Sequence, residues 1–109
     1  MVTITSKQRD MVFKAIADPT RRAILSLLIG GRHTVNEVAG NFRISRPAIS
    51  KHLRLLRRAG LVSTRKKGAA SICELNGKPL RAVNDWLRDY ATFWDESLRN
   101  LKRYVEEKR

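Results

Sequence analysis

Arg46, Pro47, Ser50, Lys51 and Arg54 fall within nine residues and carry two guanidinium groups, an ammonium and a hydroxyl, with no carboxylate between them. These are hydrogen-bond donors in search of acceptors. A guanidinium fork can take guanine O6 and N7 together, while an ammonium or a hydroxyl can meet either a base edge or a phosphate. Arg46 is therefore the leading candidate for reading a base, and Ser50 and Lys51 have both options. Arg54, followed by Arg57 and Arg58, is expected to touch phosphate or nothing. A second cationic group, Arg65, Lys66 and Lys67, stands a few residues on, beside Gly68.

The residues interleaved with the first group say how it must be held. Ile49, Leu53 and Leu56 recur at i, i+4 and i+7, which on a helix forms one apolar face and turns the donors to the other side. Ser45 is a good N-cap for such a helix and Gly60 a good stop, giving a helix to about Ala59. Free N–H groups at its amino end and the positive end of its dipole favour phosphate there. Upstream, Thr34 and Glu37 have capping-box spacing at the start of a short helix that Gly40 ends. Two short helices joined through Gly40-Asn41-Phe42-Arg43-Ile44 make a helix-turn-helix candidate.

The remaining elements frame that pair. One helix is expected over Ser6–Ala17 and another from Pro19, capped by Asp18, to about Ile29. After Gly60, Leu61–Thr64 and Ser71–Leu75 read as two short strands, with residues 65–70 as the connection, so that Arg65, Lys66 and Lys67 tip a hairpin. Pro79 opens a long last helix on which Val83, Leu87, Tyr90, Trp94, Leu98, Leu101 and Val105 form an apolar stripe, widened by Trp86 and Phe93. The expected fold is mainly α with a small β-hairpin wing. Its order is helix, helix, helix, helix, strand, strand, helix, the winged helix-turn-helix arrangement. A single domain is expected over residues 1–109, with the helix-turn-helix at about 34–59, the wing at 61–75 and a C-terminal helix at 79–106.

Charge sharpens the reading. The 109 residues carry a net +13, with 23 Lys and Arg against 10 Asp and Glu. From Val38 to Cys73 there are nine basic residues and no acid, while the flanking segments carry only +3 and +1. Ordinary surfaces mix both signs, so this patch implies a polyanionic partner. One cysteine excludes an internal disulfide framework and suits a reducing compartment. The N-terminus lacks the apolar core of a secretion signal, and no apolar stretch approaches the ~20 residues needed to cross a bilayer. A cytoplasmic, nucleoid-associated protein is expected, with no membrane partner. No nucleophile with a paired base, phosphate-binding glycine loop or metal cluster can be assembled, which argues against an enzyme and against cofactors.

The stretches Val12–Leu25 (VFKAIADPTRRAIL), Ile44–Leu53 (ISRPAISKHL) and Leu56–Val62 (LRRAGLV) together resemble the ArsR-type winged-helix repressors. The tail around Asp85-Trp86-Leu87, Tyr90 and Phe93-Trp94 is similar to a subgroup of non-metal autorepressors. The resemblance implies a homodimer built from the first and last helices, bound to an imperfect palindrome in double-stranded DNA near its own promoter. By motif match it places base reading on Arg46, Pro47, Ser50 and Lys51. The dimer seam is expected on Met11, Val12, Leu87, Tyr90, Trp94, Leu98 and Leu101.

Departures from the family pattern also matter. The paired cysteines of metal sensors are missing from Val35–Ala39, the last helix has no histidine, and His33 and His52 with Cys73 are too few for a tetrahedral site. Metal sensing is not expected. Ala69 and Ala70 stand where the family often has a wing arginine. Cys73 is expected to be an inert strand residue and His52 a packed, hydrogen-bonded one. The competing functional reading is a non-specific, architectural nucleic-acid-binding protein; whether a small-molecule effector exists is open.

Overall fold

The helices start where short polar side chains can satisfy the first free N–H groups. In the computed structural model, which describes residues 5–108, Thr5 accepts from the Gln8 N–H (3.1 Å) and opens α1, Ser6–Ile16. Asp18 accepts from the Arg21 N–H (2.9 Å) and, with Pro19 in the first turn, opens α2, Pro19–Ile29. The capping box is complete at α3, Val35–Gly40: Glu37 N–H donates to Thr34 Oγ1 (3.1 Å) and Thr34 N–H to Glu37 Oε1 (2.9 Å). Ser45 caps α4, Arg46–Arg58, through the Ala48 N–H (3.2 Å). Residues 1–4 and 109, the ends of the expected domain, lie outside the described residues.

The end of α4 is a Schellman motif. Gly60 N–H donates to the Arg57 carbonyl (2.9 Å) and Leu61 N–H to that of Leu56 (3.0 Å), with Gly60 at φ +79°. Glycine reaches that conformation without strain. A Cβ there would also stand 3.2 Å from Gln8 Nε2 and 3.4 Å from Pro79 Cγ. The helix stops, and the chain turns into a sheet.

That sheet has three antiparallel strands, β1 (His33–Thr34), β2 (Val62–Lys67) and β3 (Ala70–Leu75), in the order β1-β3-β2. The expected hairpin was two-stranded. β1 escapes sequence reading because two residues are too few to show alternation. It is held by pairing His33 with Cys73 and Thr34 with Ile72. β2 is also longer than expected. Arg65, Lys66 and Lys67 do not form a connecting loop but continue the strand opposite Ile72, Ser71 and Ala70. The turn shrinks to Gly68-Ala69, with φ +62° at Gly68 and no positive φ outside glycine among the described residues. That is the pattern of a type II′ hairpin turn, whose twist matches the strands.

Pro79, expected to open the last helix, is instead the second residue of a 3₁₀ turn, Lys78–Leu80, and α5 begins after it, at Arg81, and runs to Glu107. The hydrophobic core joins Val12, Ile24, Val38, Ile49, Leu53, Leu56, Leu61 and Cys73, all fully buried, with no buried polar residue among those described. Every helix before α5 contributes to it. The buried part of α5 is Ala82 alone, with Val83 packed partly against the core. At 1.5 Å per residue, α5 is roughly 40 Å long; it accounts for the elongated 62 × 36 × 21 Å outline.

Candidate nucleic-acid interface

The anchoring face of α4 is sealed: Ile49, Leu53 and Leu56 are at most 1% exposed. Arg46, Pro47, Lys51 and Arg54 are exposed, and Ser50 is half-buried. All five lie in the first nine positions of α4, whose N-terminal turn also presents the positive end of the helix dipole. No acidic residue lies on α4. The helix is thus backed by hydrocarbon and fronted by cations.

Within that front, Arg46 is the most constrained. Its Nη1 donates to Asn36 Oδ1 on α3, which places it on the flank of α4 nearest the other helix of the pair. One edge of the guanidinium fork is occupied by that bond, and the residue as a whole is exposed. Asn36 was not found by sequence reasoning, since the two residues are ten apart on different helices and neither type announces the contact.

The second cationic group is tied to the first through Arg57, whose Nη1 donates to Thr64 Oγ1 on β2 (3.3 Å). Arg57 was expected to touch phosphate or nothing, and this bond was not foreseen. Side chains alternate along a strand, so Lys66 shares the Thr64 face of β2 while Arg65 and Lys67 share the other. All three are exposed. The hairpin end therefore carries positive charge on both faces, a shape suited to straddling a phosphate-lined groove.

The two histidines occupy structural settings. His52, half-buried on α4, has Nδ1 3.4 Å from Arg21 Nη1 and 3.8 Å from Asp18 Oδ2. Arg21 also donates from Nε to the Ala15 carbonyl (2.8 Å) and from Nη2 to that of Lys14 (3.0 Å), closing the end of α1. The Arg21 N–H holds the Asp18 carboxyl below the usual carboxylate range, against some desolvation and helped by the charges of Arg21 and His52. His33 Nδ1 lies 3.7 Å from Glu37 Oε2. Glu37 is likewise held low, chiefly by the Thr34 N–H it accepts. Burial pushes the Cys73 thiol up, the opposite of what a reactive thiolate needs. Among the described residues, no three of His, Cys, Asp and Glu gather closely enough to hold a metal ion.

The residues expected at a dimer seam divide in two. Tyr90, Trp94, Leu98 and Leu101 are 47–64% exposed on α5, while Met11 and Leu87 are half-buried. Val12 is different. It is fully buried against its own chain's core and has no surface to offer a second copy, because the inner face of α1 is the one that closes over α2 and α4. Trp86, Phe93, Tyr104 and Val105, 50–69% exposed, belong to the same uncovered surface. Phe13 meets Trp86 edge-on, ring centroids 5.7 Å apart, and so ties α1 to the start of that stripe.

Comparison with known proteins agrees with this geometry. Residues 18–64, which contain α2 to α4 and the start of β2, match the model of the bacterial regulatory protein, arsR family. The transcriptional repressor SdpR of Bacillus subtilis is 42% identical over 87 residues, spanning 80% of this chain and 97% of that protein. The HTH-type transcriptional regulator Rv2034 of Mycobacterium tuberculosis is 34% identical over 102 residues, 94% of this chain and 92% of its own. A crystal structure of an ArsR family transcriptional regulator superposes with a TM-score of 0.75 at 36% identity, covering 87% of this chain and 97% of that one.

Proposed function

Because the chain belongs to the ArsR family of bacterial regulatory proteins, a family of DNA-binding transcriptional regulators, we propose that it is a homodimeric repressor of its own or neighbouring genes. The winged helix-turn-helix reads an imperfect palindrome in double-stranded DNA. One observation carries the proposal: the acid-free, outward face of α4, continued by the basic hairpin end, on a helix whose other side is locked into the core. Arg46 reads a base from the α3 flank, Pro47, Ser50 and Lys51 line the groove, and Arg54 meets the backbone. Arg65, Lys66 and Lys67 hold phosphate on either side of the wing.

Repression rather than activation is supported by the likeness to SdpR, itself named a repressor. The dimer is supported by α5. Eight large apolar or aromatic residues on that helix are 47–69% exposed, a stripe too extensive for a chain with no partner. Placed at 100° per residue the stripe spans about 140°, wider than the narrow a/d seam of two helices. It suits a bundle in which α1 and α5 of each copy meet, with Met11, Leu87, Tyr90, Trp94, Leu98 and Leu101 at the seam and Val12 supporting α1 from behind. Residues 1–109 then form one regulatory domain. It works in the cytoplasm on the nucleoid, with no enzymatic, metal or cofactor chemistry of its own.

The test is competition. A duplex from the gene's own upstream region, challenged with a scrambled duplex of equal length and composition, is expected to retain the protein with at least a 10³-fold preference. Equal competition would establish the architectural reading instead. Dimer mass in sedimentation, with one dimer per duplex, is the expected stoichiometry.

A further inference from the structure

A hollow of about 100 Å³ lies between α1, α2 and α4, lined by Met11, Lys14, Ala15, Arg21, Leu55 and Arg58. Met11, Ala15 and Leu55 supply its hydrocarbon lining. Lys14, Arg21 and Arg58 supply the charged lining, with no acid among the residues around it. Among the described residues neither Lys14 nor Arg58 forms an ion pair. Arg21 is held in place by the Lys14 and Ala15 carbonyls and is therefore a fixed wall.

This hollow lies at the end of α4 away from the base-reading residues. Arg58 lies twelve residues beyond Arg46, roughly 18 Å along the helix axis. Leu55 borders α1 and α2 there, while Arg58, four residues after Arg54 and seven after Lys51, shares the outward face of α4.

We infer that the hollow is a binding site for a small organic carboxylate with a short apolar body. An engineered apolar cavity of about 150 Å³ accommodates the six carbons of benzene, so the present volume, about two-thirds of that, fits a body of about four carbons. The carboxylate meets Arg58 and Lys14, and the tail lies on Met11, Ala15 and Leu55. A cation would face three like charges, and a purely inorganic anion would leave the apolar lining uncovered. The site is built within one chain, although Met11 is also placed at the proposed seam and Arg58 on the outward face of α4. A ligand there touches α1 and the C-terminal half of the DNA-reading helix at once, which gives it a route to alter how α4 is held.

The experiment is a titration of the full chain, labelled at Met and Leu methyls, with straight-chain carboxylates from acetate to octanoate. Saturable shifts are expected at Met11 and Leu55, with affinity rising about fourfold per added methylene until the hollow is filled and no further. Alkylammonium ions of equal length should bind at least tenfold more weakly, and Arg58→Gln should weaken every carboxylate by about tenfold without changing the chain-length trend. Lys14→Gln gives an independent check on an exposed side chain. Equal binding of ammonium and carboxylate, inorganic phosphate binding as well as hexanoate, or shifts confined to other regions would each overturn the assignment.

Discussion

Helices α4 and α5 are both strongly two-sided, yet they solve opposite problems. On α4 the apolar side is consumed by the chain's own core and the exposed side is cationic without relief. On α5 the apolar side is left uncovered, and the polar side mixes signs, with Asp85 and Arg88 paired at 3.2 Å. An exposed cationic face invites a polyanion, whereas an exposed apolar face with a neutral-on-average back invites protein. Amphipathicity alone does not tell these roles apart. Which side is spent on the fold does.

The largest way to break this comparison is Trp94→Glu. A carboxylate in the middle of the uncovered stripe should convert the dimer to a monomer in sedimentation and lower operator affinity by more than 100-fold, since each half-site must then bind alone. A persistent dimer would show that α5 is not the seam.

The next effect separates interior from exposed leucines. Leu53→Ala should cost about 2–5 kcal/mol in denaturant unfolding, because its surroundings cannot fully collapse into the vacated space. Leu101→Ala should act only through dimerisation, its effect fading as protein is diluted. Similar, concentration-independent losses at both sites would erase the distinction.

Arg46→Ala should cost about 1–3 kcal/mol of binding and relax the preference at one position per half-site. Asn36→Ala is expected to do less, since it removes only the tether and leaves the fork free. Both are read by binding to a panel of single-base variants of the operator.

The smallest effect concerns pH. Asp18 and Glu37 have carboxyls held below their ordinary values of 3.8 and 4.5. The stability they contribute is complete above those values and is lost as pH falls through the lowered ones. Thermal midpoints should decline on acidification through that range, and Asp18→Asn with Glu37→Gln should flatten the decline.

Most of the fold was legible in the sequence because its boundaries are chemical. Thr34 with Glu37, Asp18 with Pro19, Ser45 and Gly60 each state locally what the backbone does, and the structure places helix ends there. What escaped is non-local. β1 exists only because β3 pairs with it, and the Arg46–Asn36 and Arg57–Thr64 bonds join separate elements. The wing was misjudged because Arg65-Lys66-Lys67 lacks the apolar alternation that marks a strand. There the pairing with Ile72, Ser71 and Ala70 and the turn at Gly68 decide the conformation. Val12 was assigned to the seam because apolar position alone does not say which neighbour covers it.

Amide hydrogen exchange of the full chain, with and without operator duplex, tests the central contrast most directly. The account predicts added protection over Arg46–Arg54 and Arg65–Lys67, with the second half of α5 already protected in the free dimer and unchanged by DNA. Protection gained along α5, with residues 46–54 unaffected, would mean that the cationic side of α4 is a solvated surface and that DNA is met elsewhere.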